Sequence, residues 1–145
     1  MARIKIQQLP AYSFSTAIAV RISDINYGNH VGNDAMLSII HEARLQYLRQ
    51  FGYSELNCAG TGLIMADVGI EFKKEMFYGD TAVVEVTATD FSALGFDLYY
   101  RLSTNGALVA LAKTGMVCYD YERKKLAGVP ALLRQQLEQT ASTKQ

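Results

Sequence analysis

Residues 23–33, Ser23-Asp24-Ile25-Asn26-Tyr27-Gly28-Asn29-His30-Val31-Gly32-Asn33, gather an aspartate, three asparagines, two glycines and one of the two histidines of the chain. These groups accept protons, donate hydrogen bonds or let the backbone approach a ligand closely. A strongly apolar stretch with helical spacing follows at once, so the polar residues sit where a helix begins. Such an end presents unpaired backbone N–H groups and a partial positive charge. It can hold an oxyanion or polarise a carbonyl. The same residue types also build ordinary turns and caps, so the surrounding elements must decide between the two readings.

Before the loop, residues 16–22 alternate, with Ile18, Val20 and Ile22 on one face and Ala17, Ala19 and Arg21 on the other, which predicts a strand. Over 34–51 the period changes. Met36, Ile39, Ile40, Ala43, Tyr47 and Phe51 recur at helical spacing, and Leu37, Leu45 and Leu48 widen the stripe. That predicts a helix of about five turns, capped by Asn33 or Asp34, stopped at Gly52 and largely enclosed. Strands are predicted over 62–72, 81–90, 95–103 and 108–121. Tyr78-Gly79-Asp80, residues 92–95 and the hairpin signal Thr104-Asn105-Gly106 separate them. A short helix over 130–139 precedes a polar tail, 140–145, that should fray.

A strand, one long helix and four consecutive strands describe an α+β domain, a curved antiparallel sheet wrapped around one central helix. One domain accounts for residues 1–145, with a core over about 13–121 and a C-terminal helix and tail over 122–145. Such a sheet leaves an edge and part of a face uncovered. Self-association is therefore expected, with 62–72 as a candidate seam. Fourteen basic residues balance fourteen acidic ones, so no charge bias points to nucleic acid. Cys58 and Cys118 lack metal-ligand spacing and read as reduced thiols of a cytoplasmic protein. No apolar run reaches the length of a membrane span, and the first fourteen residues lack a signal-peptide core. Lys73-Lys74 and Arg123-Lys124-Lys125 suit solvated turns or the steering of an anionic cofactor tail.

The order of elements resembles the hotdog fold. Residues 24–33, running on to Glu42-Ala43-Arg44, resemble the acyl-CoA thioesterases of the 4-hydroxybenzoyl-CoA thioesterase type. Their common pattern is Asp-x-Asp-x-x-Gly-His-Val-Asn-Asn, with a Glu-Ala-Arg-like stretch in the helix. Ile70-Glu71-Phe72 through Tyr78-Gly79-Asp80 is similar to the family's strand–turn–strand ending in Gly-Asp. The resemblance implies hydrolysis of an acyl-CoA or acyl-carrier-protein thioester by a homodimer or homotetramer. It implies no metal and no cofactor beyond the coenzyme A of the substrate. Three positions depart from the pattern. Asn26 stands where many members carry a catalytic Asp, Asn29 replaces a Gly, and Gly32 replaces the first Asn. An amide at position 26 can orient water or donate to a carbonyl, but it cannot take a proton.

The catalytic candidates are Asn26, His30, Glu42, Asp24 and His41. Asp24 also suits the holding of the loop through backbone N–H groups. His30 offers an imidazole, the side chain that exchanges protons near neutrality. His41 and Glu42 lie two turns into the helix. Glu42 is preferred as the base, because other hotdog thioesterases use a helix carboxylate at about this depth, often across a subunit interface. A pairing with Arg49 or a capping partner is its structural alternative. The substrate-binding candidates are Gly32 and Asn33, through their N–H groups, with Tyr27, Lys73 and Lys74. An acyl chain would run along Met36, Ile40 and Tyr47. Two rivals stay open. A hotdog hydratase or dehydratase loop reads Asp-x-Asn-Pro-x-His, whereas His30 lies six residues from Asp24 with no proline between. A non-catalytic acyl-CoA-binding protein would tolerate Asn26.

Overall fold

The computed structural model describes residues 2–144, and side chains up to residue 140. In chain order the elements are β1 (Phe14–Ala19), α1 (Asn33–Arg49), β2 (Gly62–Phe72), β3 (Thr81–Thr89), β4 (Gly95–Thr104), β5 (Ala107–Asp120), β6 (Lys125–Leu126) and α2 (Ala131–Lys144). The strands form one antiparallel sheet in the order β1-β3-β4-β5-β2, with β6 paired to β5. The β4–β5 hairpin turns at Asn105 and Gly106, both left-handed (φ 51° and 76°), as an Asn-Gly signal requires. The curved sheet and its long helix match the expected architecture, and β2 lies at a sheet edge as a seam strand must.

Several local expectations are corrected. The first strand stops at Ala19, because residues 22–24 coil into a 3-10 turn, and Ile22 is 70% exposed instead of facing the core. Gly32, not Asn33 or Asp34, is the N-cap of α1, and no side chain caps this end. The helix closes at Arg49, short of Phe51. The turn then reverses at Gly52 (φ 79°), with the Tyr53 N–H bonded to the Leu48 carbonyl.

Enclosure of α1 is partial. Met36, Ile39, Ile40, Ala43, Tyr47 and Leu48 are buried, while Leu37, Ser38, His41 and Glu42 stay exposed, because one sheet covers one face of a helix. Tyr47 is a core residue, edge-on to Phe14 and Phe51 at 5.8 and 5.7 Å, and lines no acyl groove. The core also extends past residue 121, since Leu133 and Leu137 of α2 are fully buried in the same cluster. The backbone is helical from the expected tail onset at Thr140 to Lys144. Gln145 and the side chains of 141–144 lie outside the described residues.

Candidate functional site

Asp24 holds the loop. It is 4% exposed, and its carboxylate accepts the backbone N–H of Arg21 at 2.8 Å and the Arg21 guanidinium at 3.2 Å. Its own carbonyl accepts the N–H of Gly32 at 3.1 Å. Two expectations are thereby corrected. Asp24 is engaged in local structure and does not face a cleft as a base, and the Gly32 N–H is already spent and does not point at a substrate. The loop is also fixed from outside, by the Val31 N–H on the Met76 carbonyl at 2.9 Å.

Within this frame, residues 26–30 form a tight turn. The Asn26 N–H donates to the His30 carbonyl (2.9 Å), and the Asn29 N–H to that of Asn26 (3.1 Å). Asn29 is left-handed at φ 65°, which accounts for its standing where the family pattern has Gly, since Asn tolerates this conformation better than most residues. At Gly32 a Cβ would stand 2.7 Å from an oxygen of the Asp34 side chain, so the Asn of the pattern would require that carboxylate to turn aside.

The turn aims two polar groups at one place. Asn26 Oδ1 accepts the Gly28 N–H at 2.9 Å, which fixes the amide and leaves its Nδ2 donors without a partner among the described residues. His30 Nδ1 lies 3.1 Å from the Val31 carbonyl. A carbonyl only accepts, so this bond puts a proton on Nδ1, and in the neutral ring Nε2 carries the lone pair. A methyl group built on Gly28 would stand 3.2 Å from His30 Nε2 and 3.3 Å from Asn26 Oδ1, so both flank one small gap. Glu75 lies 3.8 Å from Nε2.

Alongside is a cleft of 260 Å³ lined by His30, Asn33, Met36, Phe72, Lys73 and Lys74, among others. The backbone N–H groups of Asn33 and Asp34, in the first turn of α1, have no partner among the described residues. The structure brings four of the candidates, His30, Asn33, Lys73 and Lys74, to this cleft, whereas Asn26 does not line it. Tyr27, fully exposed at the loop tip, lines none of the described cavities. The cluster Arg123-Lys124-Lys125, at the turn that leads into β6, does not line them either.

The other two candidates are elsewhere on α1. Glu42 accepts from Gln46 Nε2 at 2.8 Å rather than pairing with Arg49, and it lines a 470 Å³ groove between α1 and β1. Gln46 in turn accepts from Thr16. His41 Nε2 lies 2.6 Å from Glu55 Oε1, and the other Glu55 oxygen lies 3.3 Å from Arg44 Nε. Sequence reading missed Glu55, which sits in a loop with no periodic signal. His41 is eight residues past Asn33, or about 12 Å along the helix. A base and its water together reach about 6 Å. His41 and Glu42 thus stand well along the helix from its first turn, and neither lines the cleft beside His30.

Both thiols are free and buried, and burial pushes Cys58 up to about 12 and Cys118 upward, so neither is a thiolate nucleophile near neutral pH. Among the described residues no group of three or more His, Cys, Asp or Glu is placed to hold a metal ion. No helix among them is long and apolar enough to cross a membrane.

Comparison with known proteins places this geometry. The model of the thioesterase-like superfamily matches residues 20–137. The chain is 30% identical over 102 residues to the 1,4-dihydroxy-2-naphthoyl-CoA hydrolase of Microcystis aeruginosa, covering 68% of this chain and 74% of that one. The solved 1,4-dihydroxy-2-naphthoyl-CoA thioesterase of Synechocystis superposes with a TM-score of 0.74 at 28% identity, covering 88% of this chain and 93% of its own. A thioesterase of Thermus thermophilus, solved with coenzyme A and zinc, has a TM-score of 0.81 over 92% of this chain and 98% of its own. At 19% identity that last likeness is one of fold.

Proposed function

This chain belongs to the thioesterase-like superfamily, its reaction is the hydrolysis of an acyl-CoA thioester, and we propose that the reaction runs in the cleft beside His30. The observation that carries this reading is a cleft lined both by His30 and by Asn33 of the unpaired first turn of α1, with the Asn26 side chain beside His30 in the adjoining turn. The thioester oxygen is held by the Asn33 and Asp34 N–H groups and by Asn26 Nδ2, donors aimed where negative charge develops. His30 Nε2 takes a proton from water as the water oxygen bonds to the carbonyl carbon. Glu75 faces the imidazolium that forms. Collapse of the tetrahedral intermediate breaks the C–S bond, and His30 returns its proton to the departing sulfur. Asn26 is then a donor, which is why an amide can stand at the position of the family acid.

A panel of acyl-CoA thioesters with a free-thiol readout tests the reaction. It includes aliphatic acyl groups and 1,4-dihydroxy-2-naphthoyl, the acyl group for which the relatives are named. Thiol release is expected. Hydration of an enoyl-CoA without thiol release would instead favour a hydratase, and saturable binding with neither would favour a binding protein.

Lys73 and Lys74 flank the cleft and suit the phosphates of coenzyme A. Lys73 is partly neutralised by Glu71 at 2.7 Å, so Lys74 carries more of the steering. Reversing both charges is expected to raise KM about tenfold at low salt, with a smaller change in kcat and an effect that shrinks as salt rises. Steady-state kinetics at two ionic strengths read this directly, and unchanged KM at low salt would take both lysines out of the site.

The reading includes a second copy and a cytoplasmic setting in which Cys58 and Cys118 stay reduced. β2 is an edge strand with Met65 and Val68 each 40% exposed, and Leu37 on the outer face of α1 is exposed to the same degree. A partner along β2 would pair the strand and cover these side chains. It would also bring its own Glu42 and His41 to the composite surface. Light scattering at micromolar concentration should give at least twice the chain mass, and a one-chain mass there would end the dimer reading.

A further inference from the structure

Residues 3–6, ahead of β1, form a strap against β2. Gly69 makes its seat. A methyl group built there would stand 3.1 Å from Ile6 Cδ1 and 4.0 Å from Ile4 Cγ2, so the two isoleucines occupy the space a side chain would take. Gly69 pairs with Lys113 of β5, whose neighbour Thr114 faces α1, so the strap lies on the sheet face turned away from the helix. Ile4 remains 66% exposed, and the strap is therefore held by few groups.

One of those groups is Glu71, two residues further along the same face. Its Oε1 accepts the backbone N–H of Ile6 at 3.0 Å, and its Oε2 lies 2.7 Å from Lys73 Nζ. Lys73 first, then the Ile6 N–H, hold the Glu71 carboxyl below the usual carboxylate range, and the Arg3 guanidinium lowers it further. The strap and the cleft lysine thus share one carboxylate. The main chain at this point is fixed, because the N–H groups of Lys73 and Lys74 both bond the Val109 carbonyl, at 2.7 and 3.0 Å. What can change is where the Lys73 ammonium spends its charge, on Glu71 or on the cleft that Lys73 lines.

We propose that residues 3–6 are a positioning element for substrate capture: seated over Gly69, they take up part of the Glu71 charge and so leave Lys73 available to the phosphates of coenzyme A. The inference rests on the reading above, in which those phosphates meet Lys73 and Lys74. Electrostatics fixes its sign. A carboxylate facing the Ile6 N–H, Arg3 and Lys73 binds each of them less firmly than one left to Lys73 alone. Withdrawing the strap therefore returns Glu71 to Lys73, and the rim of the cleft becomes less positive. Proton transfer at His30 does not enter this balance, so the effect belongs in KM and not in kcat.

Steady-state kinetics of the full chain test this, with one acyl group carried either by coenzyme A or by pantetheine, which has no phosphate. Gly69→Val fills the seat of Ile6, and Arg3→Ala removes the cation of the strap. Each should raise KM for the coenzyme A thioester about threefold at low salt, the scale of a partly exposed ion pair, with kcat and the pantetheine thioester unaffected. Arg3 is exposed, so its variant carries the test should Gly69→Val fail to fold. Glu71→Gln keeps an acceptor for the Ile6 N–H and removes the charge. KM for the coenzyme A thioester should then fall, and adding Gly69→Val should change it no further. A merely structural Glu71 would not lower KM when replaced. Unchanged KM in Gly69→Val and Arg3→Ala, equal shifts for both carriers, or a Gly69→Val effect that persists beside Glu71→Gln would each overturn the proposal, while thiol release would leave hydrolysis standing. Coenzyme A itself, titrated calorimetrically, gives the same comparison without turnover. A matching loss of affinity in both strap variants without thiol release would keep the strap and remove the hydrolase reading.

Discussion

Replacing His30 by alanine should lower kcat for thioester hydrolysis by about 10²–10⁴-fold, the range for losing a positioned proton acceptor, with little change in thermal stability. The imidazole is 32% exposed, and its contacts are the Val31 carbonyl and the distant Glu75 carboxylate. The loop itself is held by other groups, namely the Asp24 carboxylate on Arg21, the Gly32 N–H on the Asp24 carbonyl and the Val31 N–H on the Met76 carbonyl. Removing the ring therefore takes away chemistry and leaves the frame. It also leaves a solvent-open space of imidazole size, so free imidazole should recover part of the lost rate in the alanine variant. A structural role would not respond to added imidazole. Near-normal kcat in His30→Ala would move the base to Glu42 of a second copy.

Much of the fold was legible because the chain separates its two periods sharply. The change from alternation before the loop to helical spacing after it located α1, and β2 matched its predicted span at both ends. The misreadings came where local rules compete with tertiary demands. Ile22 continues the strand alternation in sequence. The backbone N–H of Arg21, however, finds the Asp24 carboxylate and winds the chain into a 3-10 turn, which carries Ile22 outward. Asn33 and Asp34 are good capping types, but the bond from the Gly32 N–H to the Asp24 carbonyl sets where the helix starts. The breadth of the α1 stripe suggested enclosure, but a single sheet can only cover one side of it.

In the site, residues within the loop were legible and residues meeting across the fold were not. His30 and Asn33 meet Lys73 and Lys74 in one cleft because the segment after β2 returns to the loop, where the Val31 N–H bonds the Met76 carbonyl. Glu55 carries no such signal. Its two oxygens engage His41 and Arg44 from a loop whose sequence shows neither period nor motif. Arg44 was legible only as part of Glu42-Ala43-Arg44. Its burial against Tyr100 depends on β4 packing beneath the helix, which no local pattern states. The roles of Glu42 and His41 turned on helix rise. Side chains near one face by angle are still about 12 Å apart along the axis when eight residues separate them.

That separation sharpens the test of position 26. Asn26→Asp keeps the size of the side chain, and a carboxylate oxygen can accept the Gly28 N–H as Oδ1 now does at 2.9 Å, so the turn should survive. What changes is the other atom. The Nδ2 donor becomes an oxygen bearing negative charge beside the place where the thioester oxygen gains its own. Both the lost hydrogen bond and the new repulsion raise the barrier, and kcat should fall by about 10²–10³-fold, the cost of losing one oxyanion donor. Asn26→Ala removes the donor without adding charge, so its loss should be equal or smaller. It should also loosen the turn, which the Asp variant would not. The order of the two variants therefore separates electrostatics from loop integrity. If Asn26→Asp instead raised kcat, the carboxylate would be acting as the base at the position where relatives of the family pattern carry one. His30 would then be left to position substrate. In that case the double variant Asn26→Asp with His30→Ala would keep most of the gain, whereas the donor reading requires it to be slower than either single change.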